Sequence, residues 1–282
     1  MHHALTASDG EQLHGREWPG AAARGTVLIV HGLGEHIGRY ESMAAQLNAW
    51  GWNVAGHDQR GHGRSSGAPG ALPRADALLQ DLALVIGTVR ASARAPLVLL
   101  GHSMGGLIAA RFVAEGLQPQ PASWWRAVDS LVLSSPALDP GMSGLQRLLL
   151  AVLGRLAPNL AVNNGLKPAW ISRDPAVVRA YENDALVHER VTPALVRFMV
   201  DAGEIVRRAA PAWPVPTLLL YAGSDRCVAP AGSRAFAAAA GASRVTVREF
   251  KPLYHEIFNE PERAEVFTAL QAWLTERHAV LH

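Results

Sequence analysis

The segment Gly-His-Ser-Met-Gly-Gly places Ser103 at the junction between an apolar run and a helix-like run. Four apolar residues, 97–100, precede the segment, and apolar side chains at helical spacing follow it. Gly101 and Gly105 have no Cβ, so the chain can turn sharply there without a clash. Such a turn holds the serine hydroxyl at the end of a strand, in front of the N–H groups of the next helix. The segment therefore predicts a nucleophilic serine.

A serine hydroxyl is a poor nucleophile at neutral pH and needs a base that a third group orients. In a strand–turn–helix arrangement these partners follow in the chain order Ser, Asp or Glu, His. Asp225 comes after the run Pro-Thr-Leu-Leu-Leu-Tyr, and His255 comes after Val-Thr-Val-Arg-Glu-Phe. Both fall at the carboxyl ends of strands, like Ser103, so we expect a catalytic triad at one edge of the sheet. Asp201 and Glu204 are rival acids, but they follow no strand-like run.

Five further histidines are rival bases, or candidate metal ligands, near the same edge. The glycine-rich loops around them match no metal-ligand spacing, which favours turn and supporting roles over a metal site. The predicted chemistry requires no metal and no organic cofactor. These histidines are His31, His36, His57, His62 and His102.

The negative oxygen that forms when a serine attacks a carbonyl needs a pair of hydrogen-bond donors. The main-chain N–H of Met104, at the start of the predicted helix, is one candidate. The other is the N–H of Leu33, in the turn after the strand-like run that leads into His31. We therefore expect an oxyanion hole formed by the backbone of these two residues.

Strand-like runs alternate with amphipathic helical patterns along the chain. This alternation predicts an α/β fold with a mostly parallel central sheet covered by helices on both faces. Helices are expected over residues 76–90 and 262–276, and near residues 235–240. The strand-like runs cover residues 26–30, 52–55, 97–100, 131–134, 217–221 and 245–249.

The interval from residue 135 to residue 216 is much longer than a simple crossover, which needs roughly a dozen or two residues. We therefore expect a core domain of residues 1–136 and 214–282, with residues 137–213 inserted as a helical cap, or lid. An apolar stripe at helical spacing either packs onto the main domain or lines a hydrophobic entrance and makes transient contact with lipid interfaces. The stripe consists of Leu145, Leu148, Leu149, Val152, Leu153 and Leu156.

Composition bounds the class of protein. The chain has 282 residues, 49% hydrophobic and 18% charged, which is typical of a globular protein and not of a disordered one. The formal charge is only +2 and the basic residues are scattered, so nucleic-acid binding is not expected. Cys227 is the single cysteine, so an internal disulfide is excluded. This residue is either a buried side chain that fills space in the core or a thiol close to the site. The N-terminus has no signal-peptide pattern and no stretch could span a bilayer, so a cytoplasmic location is the expectation.

Six motifs occur in an order that resembles the monoacylglycerol lipase and lysophospholipase branch of the serine α/β-hydrolases. They extend from about residue 8 to about residue 274, and His-Gly-x-Gly-Glu-His together with Gly-His-Ser-Met-Gly-Gly is specific to this branch. The motifs are HGLGEHIGRY, DQRGHGRSSG, GHSMGG, SRDPAVVRAYENDALVH, PTLLLYAGSDRCVAP and YHEIFNEPER.

The resemblance implies an α/β-hydrolase fold with a cap, and a serine esterase that cleaves lipid-like carboxylic esters through an acyl-enzyme on Ser103. It also implies that Glu35 and Arg39 help to form a polar pocket for the alcohol-side head group; a loop-stabilising ion pair is the alternative. Animal members carry a second histidine where this chain has Phe258, so the recognition of glycerol stays open.

Other activities on the same fold are a general short-to-medium-chain carboxylesterase, a peptidase and an acyltransferase. A ligand-binding protein with a decayed triad is disfavoured, because all three triad positions are intact. The expected partner is a small-molecule lipid ester, and no oligomeric state follows from the sequence.

Overall fold

The computed structural model describes residues 1–21, 23–92 and 96–279. Its centre is an eight-stranded sheet in the order β1-β2-β4-β3-β5-β6-β9-β10. The sheet strands are β1 (His2–Thr6), β2 (Gln12–Trp18), β3 (Thr26–Val30), β4 (Asn53–His57), β5 (Leu97–His102), β6 (Ser130–Ser134), β9 (Thr217–Ala222) and β10 (Val245–Phe250), and a small antiparallel pair is formed by β7 (Val162–Asn163) and β8 (Arg190–Val191).

All six predicted strands are present, and they lie side by side in parallel. The prediction of a mostly parallel sheet is confirmed. The antiparallel hairpin β1–β2 was not predicted; β1 is solvent-exposed at alternate positions, and its polar sequence lacks the apolar run that marks a buried strand.

Helices cover both faces of the sheet, because the apolar side chains of a central strand such as β3 point alternately to the two faces and both sets must be buried. The helices are α1 (Glu41–Ala49), α2 (Ala77–Ser92), α3 (Met104–Glu115), α4 (Gly144–Leu156), α5 (Pro175–Glu182), α6 (Pro193–Ala209), α7 (Pro230–Ala240) and α8 (Arg263–Arg277). Val27 and Ile29 point to the face covered by α1 and α8, whereas Leu28 and Val30 point to the face covered by α2, α3, α6 and α7.

The long interval between β6 and β9 holds α4, α5, α6 and the β7–β8 pair. Helix α6 packs against α3 and buries Phe198 and Val206 in the same core cluster as that helix. Residues 171–192 return along the loops at the sheet's carboxyl edge, where the backbone N–H groups of His188 and Thr192 donate to the carbonyls of Gly34 and Gly70. The interval is therefore anchored to the edge at which the predicted site lies.

Helix α4 buries none of its side chains. Its apolar stripe faces solvent: Leu145, Leu148 and Leu156 are 68%, 61% and 79% exposed, respectively. The interpretation that this stripe packs onto the main domain is therefore wrong. Among the described residues, none of the helices combines the length and apolar content that crossing a bilayer requires.

Candidate active site

Ser103 occupies the tip of a strained turn between β5 and α3. Its φ of 54° is in the left-handed region, which non-glycine residues rarely adopt. A Cβ on Gly105 would lie 2.1 Å from the carbonyl oxygen of Val30, and a Cβ on Gly101 would lie 2.4 Å from the carbonyl oxygen of Gly105. Only glycine fits at these two positions, so the turn that presents the serine depends on both.

Hydrogen bonds join Ser103, His255 and Asp225 into one chain. The Ser103 hydroxyl lies 2.8 Å from His255 Nε2, and His255 Nδ1 lies 2.7 Å from Asp225 Oδ2. A carboxylate can only accept, so Nδ1 carries the proton and Nε2 is left to accept from the hydroxyl. The structure thus brings together the three side chains that the sequence predicted, from the loops after β5, β9 and β10.

The loop after β9 holds the Asp225 carboxylate in place. Its Oδ1 accepts hydrogen bonds from the backbone N–H groups of Cys227, at 2.8 Å, and Val228, at 3.1 Å. Burial alone would raise the pKa of Asp225, but the His255 charge and these hydrogen bonds hold it below its usual range. Burial likewise opposes the charged form of His255, yet the Asp225 carboxylate outweighs it and raises the pKa of His255 above its usual value.

The two predicted oxyanion donors lie beside the serine. Met104 is the first residue of α3, where a backbone N–H has no partner within the helix. Leu33 follows Gly32, at which a Cβ would lie 3.1 Å from the Cβ of Ser103. Leu33 lines a cavity that also reaches Ser103 and His255.

Glu35 and Arg39 meet in a buried cluster that includes a residue the sequence did not reveal, Glu256. Arg39 Nη1 donates to Glu35 at 2.8 Å, and the Arg39 fork donates to both oxygens of Glu256 at 2.6 and 2.9 Å. Glu35 Oε1 also accepts from the Tyr40 hydroxyl at 2.7 Å and from the backbone N–H of Gly32 at 2.5 Å. Burial would raise the pKa of Glu35, but the Arg39 charge brings it down to about 2. The loop-stabilising ion pair is present.

The same three charged groups also line the cavity that contains Ser103. A second cavity adjoins the first and shares Glu35, Arg39, His102 and Glu256 with it. The polar-pocket interpretation of Glu35 and Arg39 thus agrees with their position. The signal for Glu256 was its place directly after His255 in the motif YHEIFNEPER.

Four of the other histidines near the edge, namely His31, His36, His62 and His102, have separate hydrogen-bond partners, whereas Nδ1 of the buried His57 has none among the described residues. His31 accepts from the backbone N–H of Gln59 at 2.9 Å, and His102 lies 3.1 Å from the Ser134 hydroxyl. Burial lowers the pKa of His57 to about 3 and of His102 to about 4, so both are uncharged near neutral pH. His36 bonds Asp184 at 2.8 Å, while the rival acids Asp201 and Glu204 lie exposed on α6.

The Cys227 thiol lies close to the triad. Its sulfur, an Asp225 oxygen and a His255 nitrogen are within 4.8 Å of one another, the spacing that a metal ion would need. Burial and the Asp225 charge raise the pKa of the thiol, however, so it stays protonated and is a poor metal ligand. Asp225 and His255 already satisfy each other.

Glu260, which the sequence did not reveal either, joins residues 172 and 173 of the inserted interval to the loop that carries His255. The side chain is fully buried and accepts four hydrogen bonds. Ser172 Oγ donates at 2.8 Å, Arg173 donates through its backbone N–H at 2.5 Å and Nε at 2.6 Å, and the backbone N–H of Tyr254 donates at 3.1 Å. A backbone bond of 2.7 Å from Glu256 to Ile171 closes the same contact. We name these residues, 171–173 with Glu260, the stem contact.

Comparison with known proteins agrees with this architecture. Residues 21–262 match the family Hydrolase_4, described as serine aminopeptidase, S33. The chain is 34% identical over 277 residues to a monoacylglycerol lipase of Mycolicibacterium smegmatis, with 96% of each protein covered. It is 33% identical over 277 residues to an uncharacterized abhydrolase domain-containing protein of Dictyostelium discoideum, and there it spans 29% of the relative's length.

The crystal structure of the Paleococcus ferrophilus monoacylglycerol lipase superimposes with a TM-score of 0.83 at 35% identity, covering 94% of this chain and 99% of that one. The α/β-hydrolase fold and the resemblance drawn from the motifs are both confirmed.

Proposed function

The chain belongs to the Hydrolase_4 (serine aminopeptidase, S33) family, and from that premise we propose that it hydrolyses lipid-like carboxylic esters through an acyl-enzyme on Ser103. The monoacylglycerol lipases among its relatives suggest monoacylglycerols as substrates. Lysophospholipids, which the resemblance of the motifs also implies, are the alternative. The observation that supports this most is the continuous hydrogen-bonded path from the Ser103 hydroxyl through His255 to Asp225.

In the first half of the reaction, His255 Nε2 takes the proton of Ser103 Oγ while Oγ attacks the ester carbonyl carbon. The carbonyl oxygen becomes negative and accepts from the backbone N–H groups of Leu33 and Met104. Asp225 holds the imidazole tautomer and stabilises its charged form. As the tetrahedral intermediate collapses, the carbon–alcohol bond breaks and His255 gives the proton to the leaving alcohol oxygen.

In the second half, a water molecule takes the place of the alcohol. His255 removes one proton from this water, the resulting oxygen attacks the acyl carbon, and the same proton returns to Ser103 Oγ as the acid leaves. Every proton moves between a protein group and the substrate or water, so the scheme uses no metal and no organic cofactor.

The replacement of Ser103 with alanine tests the role of the serine. We expect Ser103→Ala to remain folded and to lose at least about a thousandfold in kcat, the scale of triad deletions. A fluorophosphonate probe should label the wild type once and leave this variant unlabelled. Ser224→Ala is a matched control, because its hydroxyl donates to the Lys251 carbonyl outside the cavity. Equal turnover by the Ser103 variant would contradict the proposal.

An aminopeptidase is the second candidate, because the family description names that activity. A panel of monoacylglycerols, short and medium p-nitrophenyl esters and aminoacyl amides separates the possibilities. Faster cleavage of the amides would favour the peptidase, and faster cleavage of short soluble esters would favour a general carboxylesterase. Acyl transfer to an added alcohol in place of water would identify an acyltransferase.

We further propose that residues 137–213 act as a cap whose exposed stripe on α4 touches lipid surfaces. A row of leucines facing solvent is the apolar face that an interfacial helix buries at a bilayer surface. The double variant Leu148→Gln, Leu156→Gln should bind phosphatidylcholine vesicles at least about tenfold more weakly in sedimentation assays. Arg155→Gln, on the same helix but outside the stripe, is the control. Equal vesicle binding, or wild-type dimers that the double variant abolishes, would contradict a lipid partner.

A further inference from the structure

The position of His255 defines where the alcohol half of an ester lies during the proposed reaction. His255 Nε2 must reach the leaving oxygen to protonate it, so the alcohol occupies the part of the cavity next to this imidazole. Glu256 follows His255 directly, and its carboxylate lines that cavity together with Arg39 and Glu35. We call this the Glu35–Arg39–Glu256 cluster.

The cluster carries more negative than positive charge. Two carboxylates, 4% and 6% exposed, share one guanidinium. The other charged residues that line the cavity, Lys167 and Glu189, are exposed and opposite in sign, so they leave this balance unchanged. Charges at buried positions are weakly screened, and the excess negative charge therefore acts directly on whatever lies beside it.

Arg39 has few free donors with which to attract an anion. Both terminal nitrogens already donate to carboxylates, and the aromatic ring of Tyr181 lies 4.8 Å from the guanidinium carbon. A phosphate could bind Arg39 only by displacing Glu256 from a bidentate pair. That exchange would leave a buried carboxylate unpaired beside a second anion, which is strongly unfavourable.

We propose that this cluster selects the alcohol of the substrate by its charge, excluding esters of anionic, phosphate-bearing alcohols and accepting uncharged or cationic ones. The inference rests on the proposed function, since it concerns the leaving alcohol of that reaction. Glu256 is the specificity-determining residue, because its carboxylate gives the cluster its net negative charge. One unit charge at a few ångströms from a partly buried site changes kcat/KM by about tenfold to hundredfold.

The test is a series of three decanoyl esters, of choline, glycerol and glycerol 3-phosphate, presented in the same neutral detergent. For the wild type we expect kcat/KM for the phosphate ester to be at least about tenfold below that for the glycerol ester, with the choline ester not below it. Glu256→Gln keeps the shape of the side chain and removes its charge, so the ratio of phosphate to glycerol ester should rise by about tenfold.

Glu265→Gln is the matched control, because it makes the same change of net charge at an exposed position on α8. This control should keep the wild-type ratio. Equal wild-type rates on the uncharged and anionic esters, or an unchanged ratio in a folded Glu256→Gln protein, would overturn the inference while leaving the esterase intact. If Glu256→Gln does not fold, the wild-type charge series alone decides. No hydrolysis of any ester, with no labelling of Ser103, would overturn the proposed function itself.

Discussion

The stem contact gives a quantitative prediction, because Glu260 is fully buried and accepts four hydrogen bonds. In Glu260→Gln one oxygen remains, and the new amide N–H₂ group faces donors on Arg173 and Tyr254 in place of an acceptor. Two part-buried donors, Arg173 Nε and the backbone N–H of Tyr254, then lose their partner, at about 1–2 kcal/mol each. The lost ion pair adds little, because the Arg173 side chain is 30% exposed and can be solvated. We expect a loss of about 2–4 kcal/mol in the free energy of unfolding.

The measurement is urea unfolding followed by fluorescence, together with ester kinetics well below the transition. Tyr254 directly precedes His255, so the loss of the hydrogen bond from the Tyr254 backbone N–H to residue 260 should displace His255. We therefore expect kcat to fall more than KM changes. Glu262→Gln is the matched control, because the Glu262 side chain is 41% exposed and forms its one side-chain hydrogen bond among the described residues with Arg173. This change should cost less than about 1 kcal/mol. The reasoning is wrong if the two variants unfold at the same urea concentration.

Four more outcomes follow from the geometry of the site. Asp225→Asn should reduce kcat by about ten-thousandfold, because the amide favours the wrong tautomer of His255; a loss below about tenfold would exclude Asp225 as the orienting acid. Activity should fall as the pH drops through the pKa of His255, which lies above the ordinary histidine value, because the base must be neutral to accept a proton. The Glu256 charge also raises this pKa, so Glu256→Gln should move the acid limb of the kcat/KM profile to lower pH, and an unmoved limb would contradict that coupling. Gly105→Ala should yield little folded protein by circular dichroism, because its Cβ would lie 2.1 Å from the Val30 carbonyl oxygen; a folded, active variant would show that the turn tolerates a side chain.

The catalytic constellation could be predicted from the sequence because each of its members follows a strand-like run. Buried parallel strands are recognisable without long-range information, and their carboxyl ends meet at one edge. Ser103, Asp225 and His255 could therefore be placed together before any distance was known. Glu35 and Arg39 are four residues apart in one motif, and their ion pair is a local contact.

Glu256 and Glu260 could not be assigned in the same way, because their partners are far away in the chain. Arg39 lies 217 residues before Glu256, and Arg173 lies 87 residues before Glu260. A glutamate in a loop looks solvated in the sequence, and only the three-dimensional fold shows that it is buried against a cation. The exposure of the stripe on α4 could not be predicted either. Helical periodicity identifies an apolar face, but it does not show what covers that face.

The contacts of the inserted interval show which part of it can move without disturbing the catalytic loops. Residues 171–173 are tied to the His255 loop through Glu260, and His188 donates its backbone N–H to Gly34 in the loop that carries Leu33. Displacing either segment would shift a group that the proposed reaction uses. Helix α4 buries no side chain, so its displacement breaks little packing. The lipid contact that we propose for α4 can thus move this helix while the stem contact keeps His255 within reach of the serine hydroxyl.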